Sequence, residues 1–80
     1  MGWSNRQKEF EIMKNELIKT MTSYLEDMCA YLTTGKKDLF YYNAGKADAI
    51  RTILEEQYGW DERYASEHIK NMWDIMDENW

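Results

Sequence analysis

The sequence predicts an all-α fold: a small three-helix domain with helices about 5–34, 38–58 and 61–78, a long first helix, and a dimer as its expected assembly. Three observations predict it. The 80 residues contain no proline and no valine, and Glu, Lys, Met, Leu, Ala and Ile dominate them, residues that mostly favour or tolerate a helix. Gly35 and Gly59 punctuate the chain into three segments. Within each segment the apolar residues recur at helical spacing. The length admits one domain, residues 1–80. A chain this short hides only roughly 60–65% of its unfolded surface, and domains of this size usually add disulfides, a metal or a partner subunit. One cysteine and one histidine supply neither staple, so a second copy is expected.

In the first segment, successive steps of 100° place Phe10, Met13, Leu17, Ile18, Met21, Tyr24, Leu25, Met28, Cys29, Tyr31 and Leu32 within about 160° of arc. Lys8, Lys19, Thr22, Ser23 and Glu26 lie opposite, and Ile12 alone falls on the wrong side. Ser4 is the expected N-cap, with Gln7 three residues on to complete a capping box, and Gly35 supplies the left-handed position after the last turn.

The second segment opens at Asp38, an expected N-cap, and places Leu39, Tyr42, Lys46, Ala49, Ile50, Ile53, Leu54 and Gln57 on one side. Gly45 inside it costs about 1 kcal/mol against alanine, so it either breaks the helix or admits a second backbone. The favoured expectation is a notch of Gly45 and Ala49 against which the first helix packs. The third segment takes Asp61 as N-cap and Trp60 as a hydrophobic staple against Ala65. Tyr64, Ala65, His68, Ile69, Met72, Ile75 and Met76 form its expected buried stripe, with Trp73 and Trp80 at the edge.

Charge is unevenly spread. Residues 1–54 carry eight Lys/Arg against seven Asp/Glu, whereas residues 55–80 carry two against eight, a net of −6. The stretch from Ile53 to Ile69 has the outline of a DNA-reading helix-turn-helix, with Gly59 at the turn, and a transcription regulator of that kind is one alternative. Glu55 stands where such a motif wants a small residue, and the would-be recognition helix presents Asp61, Glu62 and Glu67 against Arg63 and Lys70. A helix so charged repels phosphates, and direct nucleic-acid binding is not expected. The same carboxylates, with Glu56, Asp74, Asp77 and Glu78, suit a basic groove on a partner protein, although a solvated face is the commoner use of such a row. Small acidic helical chains of this style resemble, in character though not by any motif, the inhibitors that phages and mobile elements aim at host nucleic-acid-handling enzymes, anti-CRISPR proteins among them.

No catalytic constellation is present. Ser66, Glu67 and His68 are adjacent on a helix and point in different directions, Cys29 has no base beside it, and Gly35-Lys36-Lys37 is a helix end rather than a phosphate loop. His68 reads as a core or interface histidine, and no metal or cofactor is expected. No apolar run approaches the roughly 18 residues of a membrane span and the first ten residues lack the apolar centre of a signal peptide, so a cytoplasmic location is expected. Met1-Gly2 is discounted as a myristoylation signal because position 6 is Arg6.

The expected function is non-enzymatic protein binding, the inhibition or regulation of a nucleic-acid-handling partner, with a structural helical subunit as a further alternative. Its expected partner-binding residues are Phe40, Tyr41, Tyr42, Glu55, Glu56, Asp61, Glu62, Glu67, Trp73 and Asp74. Two shorter helices of about 31 and 27 Å cannot cover a first helix of about 45 Å. Phe10, Met13, Leu17, Met21, Tyr24 and Met28 are therefore the expected dimer contacts.

Overall fold

The computed structural model describes residues 5–80, so the expected cap at Ser4 lies outside the described residues. Three α-helices form, α1 over Asn5–Thr33, α2 over Lys37–Tyr58 and α3 over Glu67–Asn79, with a 3-10 turn at Glu62–Tyr64 before the last. There is no strand among the described residues. No helix among them is long and apolar enough to cross a membrane.

Both helix ends marked by glycine close as the punctuation requires. Gly35 takes φ 74°, its amide donates to the Leu32 carbonyl at 3.2 Å, and the Lys36 amide donates to the Tyr31 carbonyl at 2.9 Å. That pair of bonds is a Schellman closure, which satisfies carbonyls the last turn of α1 leaves open. Gly59, at φ 65°, ends α2, and its amide and that of Trp60 both reach the Leu54 carbonyl. The start of α2 departs from expectation: it begins at Lys37 with no side-chain cap, and Asp38 sits inside the first turn, where its carboxylate suits the positive end of the helix.

The third helix is shorter than expected because the sequence offers two caps and the chain uses both. Asp61 accepts from the Arg63 amide at 2.7 Å and starts only the 3-10 turn; Ala65 is then extended, and Ser66 accepts from the Ile69 amide at 3.3 Å to start α3. The stretch 59–66 runs back along the molecule between α2 and α3.

The helices α1 and α2 are antiparallel. Lys36 turns the chain at one end, and at the other the rings of Phe10 and Tyr58 lie 4.7 Å apart. α3 covers only the turn half of this hairpin, where His68 meets Glu26 at 3.3 Å and the Tyr41 ring meets Trp80 at 5.9 Å. The result is a rod of 51 × 19 × 18 Å.

Its core joins Met21, Leu25 and Met28 of α1 to Phe40, Ala44, Ala47 and Leu54 of α2 and to Ile69, Met72, Trp73 and Met76 of α3, with Trp60 from the connection. Each large side chain so buried contributes about 1.5–3 kcal/mol of transfer free energy. The small Ala44 and Ala47 are fully buried and leave room for the rings of Phe40 and Trp73, the two largest fully buried side chains. Asn43, the one buried polar residue among the described residues, donates from Nδ2 to the Leu39 carbonyl at 2.7 Å.

Five expectations are corrected here. α2 turns a different face inward: Phe40, Asn43, Ala44, Ala47 and Leu54 are buried, while Leu39, Tyr42 and Ile53 stay 38–59% exposed. Gly45 neither breaks α2 nor lies against α1; it is exposed inside a continuous helix, and a Cβ built on it meets nothing within 4 Å. Met21 and Met28 are buried within their own chain and cannot be dimer contacts, and Trp73, expected at an edge, is 1% exposed. His68 and Tyr64 lie on the surface, not in the buried stripe.

Candidate functional site

Two groups of carboxylates emerge from the acidic third of the chain, and they differ in what holds them. The first surrounds Arg51. Its guanidinium lies 4.0 Å from the centre of the Trp73 ring, donates from Nη1 to Glu62 at 2.7 Å and from Nη2 to Asp48, and has Glu55 at 3.6 Å from Nε. A cation over a buried indole, shared among three carboxylates, fastens the 59–66 connection and α3 onto α2. The Trp73 indole Nε1 beneath it is buried with no hydrogen-bond partner. Asp61 is also engaged, with Arg63 at 3.0 Å and the Arg63 amide on its carboxylate. Those bonds hold its carboxyl below the usual aspartate range and raise Arg63 correspondingly.

The second group stands on α3. Glu67, Asp74 and Glu78 follow one another at steps of seven and four residues, with Asp77 beside them, on the side opposite the buried Ile69, Met72 and Met76. All four are exposed and make no ion pair among the described residues, and Lys70 is the one Lys or Arg in the helix. Glu56, exposed near the end of α2, also has no ion pair among the described residues. At the last turn of α3, exposed Tyr41 and Trp80 stack edge to face, and the Tyr41 hydroxyl donates to the Asn79 carbonyl at 3.5 Å.

The expected partner-binding residues therefore do not form one surface. Glu67 and Asp74 share the open acidic face, and Tyr41 stands at its end. Glu55, Asp61 and Glu62 are held by arginines within the chain, so they serve the fold first. Phe40 and Trp73 are buried, which removes both from any partner surface. Tyr42 points elsewhere, beside Lys46, whose Nζ is 5.3 Å from its ring centre. Of the expected dimer contacts, Phe10 and Met13 are exposed and Leu17 and Tyr24 are half-buried. Asp77 and Glu78, which the sequence already offers to a basic groove, share this face with Glu67 and Asp74, and Trp80 stands at its end.

Other chemistry has no comparable geometry. Among the described residues no group of three or more His, Cys, Asp and Glu is placed to hold a metal ion. Burial, and secondarily Glu26, pushes the Cys29 thiol above its ordinary range, the opposite of an activated nucleophile. The helix-turn-helix outline also fails in detail, since the stretch 59–66 replaces the turn of three or four residues such a motif needs. Comparison of the chain with protein-family models, curated proteins and solved structures found no match.

Proposed function

We propose that the protein is a non-enzymatic binding module that docks the acidic face of α3 into a basic groove on a nucleic-acid-handling protein and thereby inhibits or regulates it. The single observation that carries this reading is the row of unpaired carboxylates Glu67, Asp74, Asp77 and Glu78 on one exposed helix face. Asp74 and Glu78, like charges one turn apart, cost the helix a few tenths of a kcal/mol, and Lys70, one turn from both Glu67 and Asp74, is the one Lys or Arg of α3 beside the row. From Glu67 to Glu78 the helix rises about 17 Å, a mean of about 5.5 Å between the four carboxylates, wider than the 3.4 Å per phosphate of a single nucleic-acid strand but of the same order. A groove lined for phosphates supplies the missing cations, and complementary charge raises the rate of encounter. Exposed Tyr41 and Trp80 at the end of the row are the residue types that anchor interfaces. Such a role suits an inhibitor of the phage or mobile-element anti-defence type, acting in the host cytoplasm.

The test is competition. The wild-type protein and a variant combining Glu67→Gln, Asp74→Asn, Asp77→Asn and Glu78→Gln are immobilised and exposed to lysate of the source cell, then eluted with duplex DNA or with rising salt. A protein retained by the wild type, released by duplex DNA and by salt, and not retained by the helical, folded variant is the expected result. Equal retention by both returns the row to a solvated face. Binding of the chain itself to duplex DNA at moderate salt removes the groove-occupying reading altogether.

A further inference from the structure

We infer that the back of the α1/α2 hairpin, on the side away from α3, is a groove that takes one amphipathic helix of a partner protein, basic on both its flanks. The floor of the groove is apolar but for Lys46. Met13, Leu17, Tyr24 and Tyr31 line it from α1 at steps of four and seven residues, on the side away from Glu26, which meets α3. Leu39, Tyr42 and Ile53 line it from α2, on the side away from Tyr41 and Arg51, which also meet α3. Of these, Met13 and the three residues of α2 are 38–59% exposed, and the rest are half-buried. From Met13 to Tyr31 the groove runs about 27 Å, the length of a helix of about 18 residues. Apolar surface so contiguous, rimmed by polar groups, marks a place of association, and a trough between two helices is the form that receives a third.

Charge selects the occupant. Glu9 and Glu16 stand four residues before and three after Met13, and Asp27 stands three after Tyr24 and four before Tyr31, so all three follow the outer edge of the α1 wall. On α2, Asp38 is four before Tyr42 and Glu56 three after Ile53, on the outer edge of the facing wall. Glu9, Asp27, Asp38 and Glu56 make no ion pair among the described residues, and Glu16 has only exposed Lys19, at 3.7 Å. No Lys or Arg stands on either edge between these residues. Charges flanking an apolar seam set the choice of partner, and two acidic edges fit a helix with Lys or Arg on both flanks. The same edges refuse a second copy, since two such grooves laid face to face bring carboxylate against carboxylate in either direction. Lys46, whose Nζ lies 5.3 Å from the Tyr42 ring centre, is the cation of the floor, and it asks for one acidic residue midway along the stripe of the incoming helix. This surface is separate from the acidic face of α3.

Fluorescence anisotropy with two labelled helical peptides of about 18 residues tests this. Both carry a Leu stripe; one has Lys on both flanks and a central Glu, and the other has the charges reversed. The Lys-flanked peptide binds with a Kd of micromolar order, and the reversed peptide at least about tenfold more weakly. Tyr42→Ser/Ile53→Ser, at positions already exposed, weakens the Lys-flanked peptide at least about tenfold with helicity unchanged, and Asp27→Lys/Glu56→Lys does the same. The α3 variant Glu67→Gln/Asp74→Asn/Asp77→Asn/Glu78→Gln binds it as the wild type does. No binding by about 100 µM overturns the proposal, as does equal affinity for the two peptides, or a loss of binding confined to the α3 variant. A wild-type dimer in sedimentation equilibrium that Tyr42→Ser/Ile53→Ser dissociates gives the groove to a second copy and overturns it too.

Discussion

The two ends of the rod are built from the same long hairpin and differ in depth. At the turn end, three helices close around Met21, Leu25, Met28, Phe40 and Trp73, each at most 1% exposed. At the open end only α1 and the last turns of α2 remain, and Phe10, Ile12 and Met13 are 43–61% exposed on a helix of the same sequence character. The difference is one of coverage. α3 has 13 residues, a length of about 20 Å, against about 43 Å for α1. Apolar residues are present along all of α1, but only those beneath α3 are placed to contribute fully to stability.

The largest effect expected from this contrast is at the closed end. Trp73→Ala removes the largest fully buried side chain, leaves Arg51 without its stacking surface, and is expected to cost about 3–5 kcal/mol. That is a large part of the roughly 4–12 kcal/mol typical of a domain of this length. Phe10→Ala at the open end loses a half-exposed ring and one contact with Tyr58, and is expected to cost about 1 kcal/mol. Urea unfolding of the two variants measures both; equal costs would mean that something covers the open end in solution.

A smaller effect of opposite sign is expected between the ends. Gly45→Ala puts a methyl group into open space on a continuous helix and is expected to stabilise the monomer by about 1 kcal/mol. Thermal unfolding at low concentration is the measurement, and a loss of stability would show that the glycine is needed for something within the chain.

The smallest expected effect concerns the connection from the open end to the closed one. The Asp61 carboxyl is held below its ordinary value by Arg63, first by the side-chain bond and then by the backbone amide. A carboxyl depressed in the folded state stabilises above its unfolded pKa, and that contribution disappears as pH falls through the folded value. In Asp61→Asn the amide oxygen still caps the 3-10 turn but no longer titrates. The urea midpoint of the wild type is therefore expected to fall more steeply than that of Asp61→Asn between pH 4 and pH 2. Parallel curves would place the acid sensitivity elsewhere.

Much of this architecture was legible in the residues. Gly35 and Gly59 marked two helix ends because a left-handed residue leaves so few alternatives to glycine, and Met21, Leu25, Met28, Ile69, Met72 and Met76 were visible as core from their spacing. The inward face of α2 was not. That helix carries apolar residues around most of its circumference, and the face that packs is marked by Ala44 and Ala47, whose small side chains give little periodic signal and matter because Phe40 and Trp73 need the space. The start of α3 was missed because Asp61 and Ser66 are equally good caps, and only packing of Trp60 beneath the connection decides that both are used. Of the candidate site, the acidic row could be read from composition. Which carboxylates were open depended on where Arg51 and Arg63 reach, and that is set by the fold.

The Schellman closure at Thr34–Lys36 also has a consequence in time. It joins two helices through the shortest connection in the chain, so the entropy lost in bringing α1 and α2 together is small and the hairpin is expected to form early. α3 must wait for residues 59–66 to find their path. Far-UV ellipticity, dominated by α1 and α2, then follows the first step, while the emission of Trp73, which leaves water only on docking beneath Arg51, follows the second. The core that Trp73 completes is therefore expected to be the part assembled last.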